Sequence, residues 1–199
     1  MMKKSRHAVS QNRHNAASSA HIQAGYRELH AGAWTEARRA FETALALEET
    51  PEALEGLGRV AWWLDDADCL FRARQGAYRL YQRRGDRQSG ARLAIALAED
   101  TLYFRGEPAV AQGWYRRAHD LLHNLAPVPE HGWLMLSEGD VALTLHGDLA
   151  ATRARAREAM HQPMGGVIWQ NIATTYRNSL ASCSSRMAAS KPPSFFTKG

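Results

Sequence analysis

The chain has no lysine between Lys4 and Lys191 and no acidic residue outside the span from Glu28 to Glu158. Those two gaps locate its charge. Sixteen arginines meet all twenty acidic residues inside that span, a balance of 16 − 20 = −4, so the formal +5 of the whole chain comes from its ends. Phosphate binding needs positive charge clustered on one ordered face, so no direct nucleic-acid binding is expected from this chain. Only two cysteines occur, Cys69 and Cys183, with no second thiol near either, which leaves a zinc knuckle without support and suggests buried or idle thiols. No run approaches the roughly 18 apolar residues of a membrane span. The N-terminal MMKKSRHAVSQNRHNAASSA lacks the apolar middle of a secretory signal, so a cytoplasmic location without membrane contact is expected. Neither G-x-x-x-x-G-K-[ST] nor G-x-S-x-G is present, which removes the usual signs of a phosphate cradle and of an esterase elbow. No catalytic residue, metal or cofactor is expected, and the chain does not read as an enzyme.

What is present is helical patterning. The chain is 45% hydrophobic with six tryptophans, enough to build one domain or a short repeat array. Its organising stretch is Ala31 to Ala44, AGAWTEARRAFETA. Gly32 ends one helix and admits the next, and Ala37, Phe41 and Ala44 then recur on a single helix face. Small residues let two helices approach while the ring fills the space beside them, which specifies a helical hairpin. Residues 1–18 read as a disordered polar arm. The first helix, Ser19 to Ala31, carries Ile22, Tyr26 and Leu29 on one face, and its partner runs from Thr35 to about Leu47. Thr50-Pro51-Glu52 then supplies a capping hydroxyl, a proline at the first helical position and a carboxylate near the positive end of the dipole.

The pattern repeats. With a shift of 33, Gly25 falls on Gly58, Gly32 on Asp65 and Ala44 on Ala77. The second hairpin has Leu54, Leu57, Ala61 and Leu64 in one helix, and Leu70, Ala73, Ala77, Leu80 and Tyr81 in a helix from Ala67 to Arg83. Arg84-Gly85-Asp86 spells an adhesion tripeptide, but a glycine stop followed by an N-capping aspartate accounts for it. With a shift of 74, Gly106, Ala111, Tyr115 and Ala118 fall on Gly32, Ala37, Phe41 and Ala44. That third hairpin joins a helix from Gln88 to Phe104 to one from Pro108 to about Asn124. Pro127 and Pro129 make a stiff connector. A fourth hairpin follows, with Trp133, Leu136, Leu143 and Leu145, a break at Gly147-Asp148, and Ala150 to Met160. This arrangement resembles the tetratricopeptide repeat, whose period is about 34 residues. The expected fold is all-α, a tetratricopeptide-like right-handed solenoid of about four hairpins over residues 19–160.

Beyond Met160 the composition changes. Residues 161–199 contain no acid and regain lysine; Ile168, Trp169, Ile172 and Tyr176 suggest one short helix before a disordered tail from Ser182. So abrupt a change also fits a reading frame shifted near residue 160.

Longer segments carry a closer likeness. Pro51-Glu52-Ala53-Leu54-Glu55-Gly56-Leu57-Gly58, Ala61-Trp62-Trp63-Leu64-Asp65-Asp66, Ala77-Tyr78-Arg79-Leu80-Tyr81, Phe104-Arg105-Gly106-Glu107-Pro108-Ala109-Val110-Ala111 and Pro129-Glu130-His131-Gly132-Trp133-Leu134 stand in order along residues 24–160. Together they resemble the helical-repeat region of bacterial LuxR-type transcriptional regulators. The resemblance implies the sensing or interaction half of a regulator. Such regulators carry a DNA-binding helix-turn-helix after the repeats, and residues 161–199 show no capped recognition-helix pattern.

Two local clusters of ligand-type residues have simpler readings. His119 and His123 share a helix face but lack a third ligand, and they suit a helix C-terminus. Asp65, Asp66 and Asp68 fit a solvated turn with N-caps rather than a cation site. Partner binding has a clearer candidate. Taking Gly32, Asp65, Gly106 and Gly147 as equivalent turns puts Tyr26, Arg59, Trp62, Asp100 and Tyr103 on one side, with Trp63 and Phe104 beside them. Of the three rings Trp62, Trp63 and Phe104, core packing between hairpins is the preferred role. An unidentified protein or peptide could bury side chains against this surface, with Arg59 and Asp100 fixing polar register. The alternative is a small-molecule sensor or enzyme using the same groove. The uncapped ends of the array leave pairing with a second copy open.

Overall fold

The computed structural model describes residues 2–146 and 148–160, and every regular element among them is helical. The expectations for Gly147 and for residues 161–199 lie outside the described residues. The elements are α1 (Met2–Ala31), α2 (Trp34–Leu47), α3 (Pro51–Trp63), α4 (Ala67–Arg84), α5 (Arg87–Asp100), a π-helical turn (Thr101–Arg105), α6 (Pro108–Leu122), α7 (Pro129–His146) and α8 (Leu149–Met160). They fall into two compact units, one ending at Leu125 and the other beginning at Ala126.

Three hairpins follow one another in the first unit. α1 packs on α2, α3 on α4, and α5 with the π-helical turn on α6; α2 also meets α3, α4 meets α5, and α1 meets α3. The turns that join two of these pairs, and the turn after the π-helical segment, share one backbone conformation. Gly32, Asp65 and Gly106 have φ of 77°, 58° and 63°, the left-handed region that reverses a helix with least strain in glycine and is tolerated by aspartate. The sequence equivalence of the three turns is thus a conformational one. Gly85 adopts the same geometry at the end of α4, and the Asp86 side chain then accepts from the Ser89 amide to start α5. That geometry is the whole structural content of Arg84-Gly85-Asp86.

Caps set the other boundaries. Thr50 Oγ1 accepts from the Ala53 amide at 3.3 Å and Pro51 opens α3. Asp66 Oδ1 accepts from the Cys69 amide at 3.0 Å, and its other oxygen takes Arg38 Nη1 of α2 at 3.0 Å. One carboxylate therefore starts α4 and ties it to the preceding hairpin. Its pKa lies below the ordinary aspartate value, first because of that amide and then because of Arg38. Asp66→Ala should cost about 1 kcal/mol, the usual worth of such a cap, while Asp66→Asn should keep most of it. Urea unfolding midpoints of the two variants check this, and equal losses would show that the charge rather than the cap matters.

Differences from the sequence reading are local. α1 begins at Met2 instead of near Ser19; no glycine or proline interrupts residues 2–24, so nothing in the sequence stops the helix upstream. The single helix expected from Gln88 to Phe104 is α5 followed by the π-helical turn. Thr101 Oγ1 donates to the Leu97 carbonyl at 2.6 Å, a back-bond that competes with the regular ladder and loosens the helix there.

The core of the first unit is centred on Ala37, Phe41, Leu57, Val60, Leu70, Phe71 and Leu97, and a smaller cluster gathers Ala77, Tyr81 and Leu93. Ala111, Tyr115 and Ala118 of α6 are as buried as Ala37, Phe41 and Ala44 of α2, so both copies of the small–aromatic–small pattern face inward. Arg87 closes the third hairpin by donating to the carbonyls of Leu121 and Asp120 at the end of α6.

The second unit contains α7 and α8, which pack as a hairpin. The Asp148 amide donates to the Ala142 carbonyl at 3.0 Å, ending α7, and Arg155 of α8 pairs with Glu138 of α7 at 2.6 Å. Leu134 and Ser137 are buried there. No helix among the described residues is long and apolar enough to cross a membrane.

Candidate interaction surface

The five residues singled out from the sequence separate into two surface pairs and one buried group. Tyr26 of α1 and Arg59 of α3 form the first pair, with the guanidinium carbon 5.9 Å from the ring centroid. Tyr26 Oη donates to the Glu52 carbonyl at 3.2 Å, and its ring meets Phe41 edge-on at 5.1 Å. Burial, reinforced by Glu55, pushes the Tyr26 hydroxyl up to about 12. It stays protonated as a donor at any ordinary pH.

Trp62 of α3 and Tyr103 of the π-helical turn form the second pair, with centroids 6.0 Å apart. They belong to a continuous run of rings. Trp34 at the start of α2 stacks on Trp63 at 4.6 Å and 3°, Trp63 meets Trp62 edge-on at 5.2 Å, and Tyr103 meets Phe104 at 4.9 Å. Phe104 continues edge-on to Phe71 at 6.4 Å, and the Arg105 guanidinium carbon lies over the Phe71 ring, 3.8 Å from its centroid. Trp62, Trp63 and Phe104 are half-buried, anchored in the core on one side, whereas Tyr103 is 42% exposed. The run sits at the turn end of the three hairpins, because Trp34, Trp63 and Tyr103 each lie within three residues of a left-handed turn residue.

Asp100 does not join them. It is 3% exposed and lies 3.0 Å from Arg74 Nε of α4, so it presents no carboxylate to solvent. The turn alignment counts six residues back from Gly106 as it does from Gly32 and Asp65, and the π-helical turn upsets that count by placing an extra residue in the last turn. One residue corresponds to about 100° of rotation about a helix axis, enough to carry Asp100 from the open face into the core.

The polar centre of this side is instead Glu55, which sequence reasoning passed over. Its side chain is 8% exposed. Arg92 of α5 grips it with two bonds, Nε to Oε1 at 3.0 Å and Nη2 to Oε2 at 2.9 Å. Tyr81 Oη donates to Oε2 at 3.0 Å and Arg59 Nη2 to Oε1 at 3.2 Å. Burial raises the Glu55 pKa, but the bond and field of Arg92, then Arg59 and Tyr81, outweigh it and hold the carboxyl below its ordinary value. Burial first, and then Glu55, pushes the Tyr81 hydroxyl upward. The available signal was the spacing Glu55-Arg59 together with Leu54 and Leu57, which makes this a charge on a partly inward face.

Arg59 is 44% exposed and shares its carboxylate with Arg92, so two guanidinium groups are served by one buried acid. The surface thus offers aromatic faces beside a solvent-accessible guanidinium, groups that bury apolar side chains and fix one polar contact. His119 and His123 are exposed at the end of α6, where His123 Nδ1 lies 3.0 Å from Asn124 Oδ1. Among the described residues no group of three or more metal-ligating side chains occurs. No protein-family model, curated protein or solved structure matches the chain.

Proposed function

We propose that this chain is a protein-interaction module whose hairpins form a tetratricopeptide-like right-handed solenoid, resembling the helical-repeat part of LuxR-type transcriptional regulators. In this reading it works in the cytoplasm as a binder without turnover, and a protein or peptide segment lies along Tyr26, Arg59, Trp62 and Tyr103. The observation that carries the reading is the run from Trp34 through Trp63 and Trp62 to Tyr103, which leaves large rings half-open at one edge of the stack. Half-open aromatic rings around an accessible arginine match the composition of energetic centres in protein interfaces.

The test is selection of peptides from a random displayed library on the immobilised full chain, followed by titration calorimetry of an enriched peptide. Trp62→Ala and Tyr103→Ala should each weaken that peptide by about 30-fold or more, the roughly 2 kcal/mol of a central aromatic contact. Retained helicity in both variants excludes unfolding as the cause. A library without enrichment, or peptides that bind both variants as tightly as the parent chain, would remove this surface from consideration.

A further inference from the structure

Arg74 occupies a position that the neighbouring hairpins give to an aromatic ring. It stands nine residues after Asp65, as Phe41 stands nine after Gly32 and Tyr115 nine after Gly106. The packing is equivalent as well. A methyl group added at Gly25 would come within 2.7 Å of the Phe41 ring, and one at Gly58 within 2.8 Å of Arg74 Cγ. Each side chain thus lies on a glycine of its own hairpin and then reaches into the next. Phe41 ends against Gly56, whereas Arg74 ends against the carboxylate of Asp100. A charged pair replaces an apolar anchor between the second and third hairpins.

That pair is poorly compensated. Arg74 is 13% exposed, and neither its Nε nor Asp100 Oδ2 makes a directional hydrogen bond despite their 3.0 Å approach. An ion pair in that state gains Coulombic energy but leaves both groups short of the bonds that water would supply. Its location matters more than its strength. Asp100 is the last residue of α5, and the π-helical turn that follows holds Tyr103 against Trp62 and Phe104 against Phe71. The turn is tied back by the Gly106 amide on the Leu102 carbonyl at 3.1 Å and the Glu107 amide on the Thr101 carbonyl at 3.5 Å.

We propose that the Arg74–Asp100 pair is a proton-operated latch: protonation of Asp100 dissolves the pair, frees the root of the π-helical turn and shifts Tyr103 relative to Trp62. The proton binds a carboxylate oxygen and cancels the charge that holds the Arg74 guanidinium. Among the described residues Arg74 of α4 is the one charge that acts on Asp100, and neither α3, α6 nor the π-helical turn contributes a charge that shifts it. Burial pushes the Asp100 carboxyl up to about 6 against the pull of Arg74, which brings the change within reach of mild acidification. The folded chain therefore binds a proton that the unfolded chain does not hold between pH values of about 6 and 4, and its stability rises as pH falls through that window. The latch stands whether or not the ring surface binds a partner.

Near-ultraviolet circular dichroism of the full chain, titrated from about pH 7.5 to 4.5, reads the ring environment directly. The parent chain should show a step centred near pH 6. Asp100→Asn, neutral throughout, should lose the step and hold the acidic spectrum at every pH. The double variant Arg74→Met with Asp100→Leu restores an apolar anchor and should also be flat, which keeps the test decisive if Asp100→Asn alone unfolds. Hydrogen exchange localises the event, with the Gly106 and Glu107 amides expected to open roughly tenfold more readily below the step after correction for intrinsic rates. A spectrum unchanged across the range overturns the proposal. So does a step that survives in both variants.

Discussion

Replacing Phe41 by alanine should lower the stability of the first unit by about 4 kcal/mol, near the top of the range for a buried phenylalanine. The ring has no solvent exposure and lies between two glycines from different helices, Gly25 of α1 and Gly56 of α3. A methyl at Gly56 would approach its Cε1 to 2.2 Å and one at Gly25 its Cζ to 2.7 Å, so each backbone rests directly on the ring. Cavities cost least where neighbouring side chains can swing in. Here the neighbours on two sides have none, and the gap stays open unless the helices themselves move. The converse substitution, Gly56→Ala, should cost about 1–3 kcal/mol through overpacking. Combined with Phe41→Leu its penalty should shrink, since the shorter side chain makes room for the methyl. Urea unfolding of the single and combined variants gives the coupling energy. A Phe41→Ala loss below about 1.5 kcal/mol, or strict additivity with Gly56→Ala, would show that the ring is not what spaces these helices.

That spacing explains why the hairpins could be read before the structure. Ala37, Phe41 and Ala44 work as a unit because a ring and two small residues meet the same facing helix, and the requirement returns in Ala111, Tyr115 and Ala118. Boundaries were legible for a similar reason. Thr50 before Pro51, Asp66 before Ala67, and Gly85 before Asp86 act within one turn of chain, so the residues that satisfy the helix ends are adjacent to them in sequence.

What escaped sequence reasoning depends on partners distant in the chain. Arg74 has no neighbour in sequence that marks it as buried; Gly58 and Asp100, which close around it, come from α3 and α5. The π-helical turn leaves no periodic trace, and it displaced Asp100 from the surface where the alignment of turns had put it. The surface pairs fared differently. Tyr26 with Arg59 and Trp62 with Tyr103 are neighbours because α1, α3 and the π-helical turn end at the same edge, which alignment on Gly32, Asp65 and Gly106 could express. The alignment put these residues on one side without naming which would touch; what binds there is a property of a partner and not of this chain's pattern.

Glu55 is where the largest electrostatic effect is expected. Glu55→Ala should cost about 3–5 kcal/mol, because removing one member of a buried charge pair leaves the bonds of its partners unmade. Arg92, only a quarter exposed, loses both bonds to this carboxylate, and Tyr81 loses the acceptor for its buried hydroxyl at the same time. Replacing both charges, Glu55→Leu with Arg92→Leu, should recover most of that loss, since an apolar contact between α3 and α5 carries no desolvation penalty. The pH dependence has the opposite sign to that of Asp100. The folded Glu55 carboxyl lies below its unfolded value, so its contribution is complete above about pH 4.5 and is lost as acidification carries the pH through the folded value. Between about pH 6 and 4.5 the parent chain should therefore gain stability from Asp100, and at lower pH it should lose stability through Glu55. Denaturant titrations at stepped pH should show a maximum in that acidic window. Glu55→Ala should keep the rise and lose part of the fall, while Asp100→Asn should flatten the rise and keep the fall. A parent chain whose stability only climbs from acid to neutral pH would contradict the assignment of Asp100, and a fall unaltered in Glu55→Ala would contradict that of Glu55.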